Sequence, residues 1–99
     1  MGQARYEGVA YDDTGTMLTS SLQDYALPKS LHVPEIETDA TVTPSPSNPL
    51  GTKGIGEAGT TAAPAAVVNA VVDALQPFEV DHVDMPLTDQ TVWQAVHGD

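Results

Sequence analysis

The sequence predicts an α+β fold: one small domain over residues 1–99, with a β-hairpin, further short strands and two helices, joined by a proline- and glycine-rich loop. Three observations carry this prediction. A turn tetrad, Asp12-Asp13-Thr14-Gly15, separates two short apolar–polar stretches. Residues 60–76 are rich in alanine and valine, with Val67, Val71, Ala74 and Leu75 spaced on one helical face. Between these segments Pro44, Pro46 and Pro49 fall close together and exclude regular structure. A chain of 99 residues has room for one modest core, burying about two-thirds of its unfolded surface.

Taken in order, residues 8–11 pair with residues 16–19 across the turn. Residues 21–25 form one helical turn, stopped by Pro28. The chain then runs extended, with residues 36–42 as the next strand. Residues 43–50 are a loop, either a linker or an ordered segment that packs on something larger. Helix 60–76 takes Thr60 or Thr61 as its cap, tolerates Pro64 in its first turn and ends at Pro77. Its polar stripe is only Asn69, Asp73 and Gln76, so it needs cover on most sides, more than a hairpin and short strands provide. Residues 78–83 alternate as a strand, broken by Pro86. Thr88 caps a last helix to about His97, with Leu87 and Val92 placed as a hydrophobic staple. Trp93 is expected to anchor that helix, and Tyr25 to pack beneath the proline-rich loop.

Composition excludes several functions. With no cysteine, the chain has no disulfide, zinc ribbon or iron–sulfur ligands. Fourteen acids face three bases, Arg5, Lys29 and Lys53, for a formal net charge of −11. A nucleic-acid partner needs a basic footprint, and an anionic membrane needs the same. No apolar run is long enough to span a bilayer and no secretory signal opens the sequence, so a cytoplasmic protein is expected. Scattered acids with almost no lysine fit a halophilic protein, in which salt screens self-repulsion. His32, His82 and His97 have no metal-ligand spacing and fit surface or packing roles. Asp12-Asp13 fits turn chemistry better than a calcium loop.

The candidate site lies in the loop 43–59, at Gly54-Ile55-Gly56-Glu57-Ala58-Gly59. Glycines let backbone approach a ligand closely, and they surround a single carboxylate. The letters fit a dinucleotide fingerprint, with Asp81 at the distance of a ribose-binding acid. That motif needs a buried strand before it, and Ser45-Pro46-Ser47-Asn48-Pro49 stands there instead. Two alternatives remain on the residues alone. Glu57 is a solvated helix-entry acid, or it is a catalytic base held against a ligand.

A resemblance bears on that choice. Asn48-Pro49-Leu50-Gly51-Thr52-Lys53-Gly54-Ile55-Gly56-Glu57-Ala58-Gly59-Thr60, followed by Ala65-Ala66-Val67-Val68-Asn69-Ala70-Val71-Val72-Asp73-Ala74-Leu75, resembles the C-terminal end of the molybdenum hydroxylase large subunit. That is the family of xanthine dehydrogenase, aldehyde oxidase and aerobic carbon monoxide dehydrogenase. Ala4-Arg5-Tyr6-Glu7, the turn at 11–15, Ser21-Leu22-Gln23-Asp24-Tyr25-Ala26-Leu27-Pro28 and Pro86-Leu87-Thr88 fall in the same order and spacing.

The resemblance implies that residues 1–99 are the C-terminal portion of a molybdopterin-binding domain, with 43–59 as its active-site loop. It implies Glu57 as the general base, taking a proton from the attacking oxygen, and Gly56, Gly54 and Lys53 as residues beside the cofactor. It implies molybdopterin with molybdenum in the complete assembly, FAD and iron–sulfur clusters on other domains or subunits, and no metal ligand on this chain. Partners would be the upstream part of the subunit and the iron–sulfur and flavin subunits, with a small-molecule substrate bound only by the full complex. Ala58 stands where xanthine dehydrogenases usually carry proline, which favours the other two branches. The competing function is a non-catalytic acidic α+β interaction module that docks through Val68, Val72 and the proline-rich loop.

The charge yields the first test. Between about 0.1 M and 1 M salt the screening length falls from about 10 Å to about 3 Å. The melting temperature is expected to rise over that interval, and a flat titration removes the halophilic expectation.

Overall fold

The computed structural model describes residues 1–98. In chain order it holds α1 (Gly2–Arg5), a 3₁₀ turn (Ser30–His32), α2 (Ala58–Thr61), α3 (Ala63–Ala74), a second 3₁₀ turn (Gln76–Phe78) and α4 (Asp89–His97). Among the described residues there is no sheet. This corrects the α+β expectation: the protein is helix and irregular chain.

The local reasons differ from segment to segment. The Asp12 turn forms, closed by Asp12 N–H to Thr16 O at 3.0 Å and Gly15 N–H to Asp12 O at 3.0 Å. Gly15 takes φ +83°, which its place in the turn favours. The Asp12 carboxylate accepts from the Thr14 amide, the Thr14 hydroxyl and the Thr16 amide. The expected hairpin goes no further than one antiparallel bridge, Tyr11 to Met17. Leu18 and Ala10 share a backbone bond, but Ala10 then donates to the Thr19 hydroxyl instead of to a partner strand. Tyr11, Met17 and Leu18 stay exposed, so no packed face supports longer pairing.

Residues 36–42, expected as a strand, are irregular and exposed along their length. No neighbouring strand takes their backbone groups. Residues 78–83, expected to alternate as a strand, instead begin inside the second 3₁₀ turn. Glu79 follows with φ 58°, a left-handed conformation that ends any extended run.

The expected long helix is two helices. Thr60 and Thr61 do not cap α3. Both hydroxyls turn back to the Glu57 carbonyl, α2 stops at Thr61, and α3 begins after Ala62 with Pro64 in its first turn. The chain leaves α3 one residue before Leu75, and Pro77 sits in the 3₁₀ turn that follows. The helical turn at 21–25 is present, with the Tyr25 amide on Ser21 O at 2.8 Å. Thr88 caps α4 as expected, its hydroxyl accepting from Thr91 N–H at 3.1 Å.

The core is small. Leu75, Val80, Val83 and Leu87 form its buried cluster, with Val67, Val68, Val71, Val72, Val92, Ala95 and Val96 packed half-buried around it. Val68 and Val72 are thus half-buried against the chain's own core. Val92 meets the cluster that holds Leu87, the contact expected of a staple. Leu87 N–H donates to Ala4 O at 2.7 Å, and Ala4 is fully buried, so α1 is fastened to the entry of α4.

The remainder is open. The radius of gyration is 18.0 Å, against about 13 Å for a compact domain of this length. The accessible surface is 8138 Å², against about 5,400 Å² for a compact protein of this mass. The chain buries roughly half of its unfolded surface, short of the two-thirds expected of a closed domain.

Two outcomes follow. Leu87→Ala is expected to cost about 2–5 kcal/mol, as large-to-small changes in cores do. Thr88→Ala is expected to cost about 1 kcal/mol, both read by denaturation of whichever assembly holds the chain. Hydrogen bonds, first that from the Thr14 side chain and then that from the Thr16 amide, hold the Asp12 carboxyl below its ordinary 3.8. A lowered folded value stabilises the turn above 3.8, and that stabilisation is lost as pH falls through the folded value. Protection of the Thr14 and Thr16 amides, read as exchange relative to the unstructured rate at each pH, should therefore be lost only below pH 3.8, and Asp12→Asn should abolish that pH dependence.

Candidate functional site

Loop 43–59 is ordered by its own bonds. Asn48 reaches across it, its side-chain oxygen accepting from Thr52 N–H at 3.0 Å and its side-chain amide donating to Thr52 O at 2.9 Å. Ser45 N–H donates to Gly51 O, and Gly51 N–H to Asn48 O. Gly51 has φ +66°, and a Cβ there would stand 2.8 Å from Pro44 Cβ, so this glycine is required by both conformation and space. Lys53 Nζ donates to the Thr43 hydroxyl at 2.9 Å and ties the two ends of the loop together. These ties make it a built loop and not a linker. Asn48 and Gly51 were not among the expected site residues, although Asn48-Pro49-Leu50-Gly51 carries a legible turn signal.

Gly54, Gly56 and Glu57 follow directly. Glu57 has helical dihedrals, φ −100° and ψ −4°, and is the residue from which α2 starts. Its carbonyl oxygen accepts four hydrogen bonds: from the amides of Thr60 (3.0 Å) and Thr61 (3.2 Å), and from the hydroxyls of Thr60 (2.9 Å) and Thr61 (3.0 Å). The backbone of Glu57 is thus fixed from its C-terminal side. Its carboxylate makes no hydrogen bond among the described residues and is exposed. The hydroxyls of Thr60 and Thr61 were expected as helix caps; only the structure shows them converging on this carbonyl.

At Gly54, Gly56 and Gly59 a Cβ would meet nothing within 4 Å. None of the three has a positive φ. Unlike Gly51, these glycines answer to no steric demand inside the chain. They leave bare backbone facing open space around the Glu57 carboxylate, which suits close approach by another molecule or polypeptide.

A polar cleft of about 360 Å³ borders α2, lined by Gly2, Gln3, Glu7, Tyr25, Gly59 and Thr60 among others. Within it Tyr25 O–H donates to Glu7 Oε1 at 3.0 Å. This places Tyr25 against the N-terminal segment and corrects its expected position beneath the proline-rich loop. The bond to Glu7, aided by desolvation and the Glu7 charge, raises the Tyr25 pKa above 10.0.

The histidines serve packing and local bonding. His32 stacks on Tyr6 at 4.7 Å, His97 stacks on Trp93 at 4.3 Å, and His82 bonds Asp84 at 3.0 Å on the surface. Among the described residues no group of three acids or histidines stands close enough to hold a metal ion. No helix among them is long and apolar enough to cross a membrane.

Comparison with known proteins identifies the surroundings this geometry belongs to. No family model matches the chain. The carbon monoxide dehydrogenase large chain of Hydrogenophaga pseudoflava is 42% identical over 86 residues, covering 87% of this chain and 11% of the relative. The nicotine 6-hydroxylase large subunit of Paenarthrobacter nicotinovorans is 41% identical over 98 residues, covering 99% of this chain and 12% of the relative. Among solved structures, quinoline 2-oxidoreductase from Pseudomonas putida 86 superposes with a TM-score of 0.87 at 42% identity, over 96% of this chain and 12% of that one. The Cu,Mo-CO dehydrogenase superposes with a TM-score of 0.82 at 37% identity, over 93% of this chain and 12% of that one. The chain thus spans about one-eighth of the length of the proteins it matches, and its open shape recurs within them. It belongs to the molybdenum hydroxylase family, as a counterpart of the C-terminal segment of the large subunit.

Proposed function

We propose that this chain is the C-terminal part of a molybdenum-dependent oxidoreductase and supplies its general base, Glu57. The enzyme would hydroxylate an aldehyde, an N-heterocycle or a similar carbon, or oxidise carbon monoxide. The observation that carries the reading is the asymmetry at Glu57. Its carbonyl is held by four donors while its carboxylate is left unpartnered in a cradle of glycines. A solvated helix-entry acid would also leave its carboxylate free; what favours the base is the pair of threonine hydroxyls added to the helix's own amide bonds, and glycines on either side that meet no steric demand inside the chain.

The residues present fit one wall of a molybdopterin site. Gly54 and Gly56 would face the cofactor through bare backbone, since side chains there would fill the space it needs. Lys53, engaged to Thr43 by one proton, keeps two more for an anionic group. When bound, the cofactor's molybdenum supplies Lewis acidity toward the attacking oxygen and takes up the electrons of the substrate. Glu57 takes the proton from that oxygen at Oε1 or Oε2. The clamp on its backbone keeps the carboxylate from drifting as charge moves, and closure of the site by the missing polypeptide would exclude water from it.

The chain has no cysteine to hold an iron–sulfur cluster, so such clusters would sit on partner subunits or domains; the family resemblance places the flavin there too, consistent with relatives named as large subunits or as subunit gamma of a dehydrogenase complex. Alone, the chain carries a base and no acceptor for electrons, and it should turn nothing over.

In the assembly reconstituted with the remainder of a large subunit, Glu57→Gln should lower kcat by about 100-fold or more, as loss of a general base does, with molybdenum content unchanged. Carbon monoxide, nicotine and quinoline serve as the trial substrates. Undiminished turnover removes the assignment. The paired substitution Thr60→Val, Thr61→Val should lower kcat by roughly 10-fold with little change in KM, since a displaced catalytic group costs rate. Serine at both positions should restore it.

A further inference from the structure

We propose that the groove between α3 and α4 is the seat of the polypeptide that precedes this segment in a large subunit. This rests on the family membership and deepens it by naming the surface. The groove has a volume of about 860 Å³, and Val67, Val71, Val92, Trp93, Val96 and Leu31 line it. Trp93 is 54% and Leu31 94% exposed. Large apolar side chains left open on this scale mark an interface.

Area gives the size of what is missing. The chain exposes about 2,700 Å² more than a compact protein of its mass, a surplus in the range of obligate interfaces. Length says where the cover comes from: the relatives are some eight times longer, and this segment covers 11–12% of them. Conformation agrees, because the same open shape recurs with a TM-score of 0.87 inside a chain of which it is 12%. A segment that keeps an open groove within a larger subunit has that groove filled by the subunit.

Charge selects this occupant over a second copy. Two copies would bring together bodies of −11 each, which repel. Among the described residues Asp89 is the one acid lining the groove, and it lies 3.5 Å from Arg5 at the rim. An apolar segment therefore docks without burying unpaired acids. The occupant expected is an apolar helix face or extended apolar strand.

The test co-expresses this chain, tagged, with the nicotine 6-hydroxylase large subunit lacking the segment that this chain matches. A one-to-one complex should form, with Trp93 emission shifted to shorter wavelength. Ala70→Glu with Ala74→Glu places two charges on the groove wall at exposed helical positions that favour glutamate. The pair should weaken the complex about 100-fold or more, while Asn69→Glu, outside the groove on the same helix, should leave it intact. No complex, or a complex indifferent to the groove variants, overturns the proposal. So does a homodimer in sedimentation that the groove variants dissolve. Glu57→Gln should assemble like the parent chain, so loss of the catalytic assignment and loss of the docking assignment are separate results.

Discussion

Leu87 is where the chain meets itself. Its side chain is 1% exposed, its amide holds Ala4 O, and the next residue caps α4. Through this position α3 and α4 share one small apolar cluster, and α1 is fastened beside it by the backbone bond. Between residues 9 and 62 no side chain is fully buried, and the chain is held mostly by turn-scale bonds, Asp12 to Thr14 and Thr16, Ser21 to Asp24, Asn48 to Thr52, with Tyr25 on Glu7 and His32 on Tyr6 as its ties to the N-terminal segment. The protein is thus a single folded knot from which a long, locally ordered arm extends. Local bonds fix the shape of each turn, but each contributes only about 1 kcal/mol net. They cannot hold the arm in place against its conformational entropy.

This explains what the sequence showed and what it hid. Turn and cap signals were legible because they are local: Asp12-Asp13-Thr14-Gly15 forms its turn, Thr88 caps its helix, and Leu87 meets Val92. Strands were not legible because strands are agreements between distant segments. Residues 36–42 and 78–83 have compositions that suit a sheet, yet no second segment of this chain lies alongside them. The helix expected at 60–76 was correct in kind and wrong at its start. The threonines there have two uses, capping a helix or returning to the preceding turn, and only the three-dimensional path chooses between them. The helix also gave a correct warning, since a surface so apolar with so thin a polar stripe needed more cover than 99 residues supply.

The same division runs through the candidate site. Glu57 among glycines was visible as a pattern, and the order of blocks around it marked the family. The clamp of four donors on its carbonyl was not visible, nor was the Asn48 bridge that shapes the approach. The glycines separate into two physical classes that sequence cannot distinguish. Gly51 is required by its dihedral and by Pro44. Gly54, Gly56 and Gly59 are required by nothing within the chain. Flexibility in these three costs conformational entropy on folding. Glycine at such positions is sensible when a neighbour from elsewhere needs the space.

Charge and apolar surface are arranged to be compatible with such a neighbour. The acids lie on turns, helix ends and the exposed arm, at Asp12, Asp13, Glu35, Glu37, Asp39, Asp81 and Asp84, while the groove walls carry valine, alanine and tryptophan. Had the acids been spread over the groove, covering it would have meant stripping water from them at a cost of several kcal/mol each. Their placement leaves the groove mostly apolar, with Asp89 paired to Arg5 at its rim, and keeps most of the net charge in solvent. The carboxylate of Glu57 is exposed and makes no hydrogen bond among the described residues.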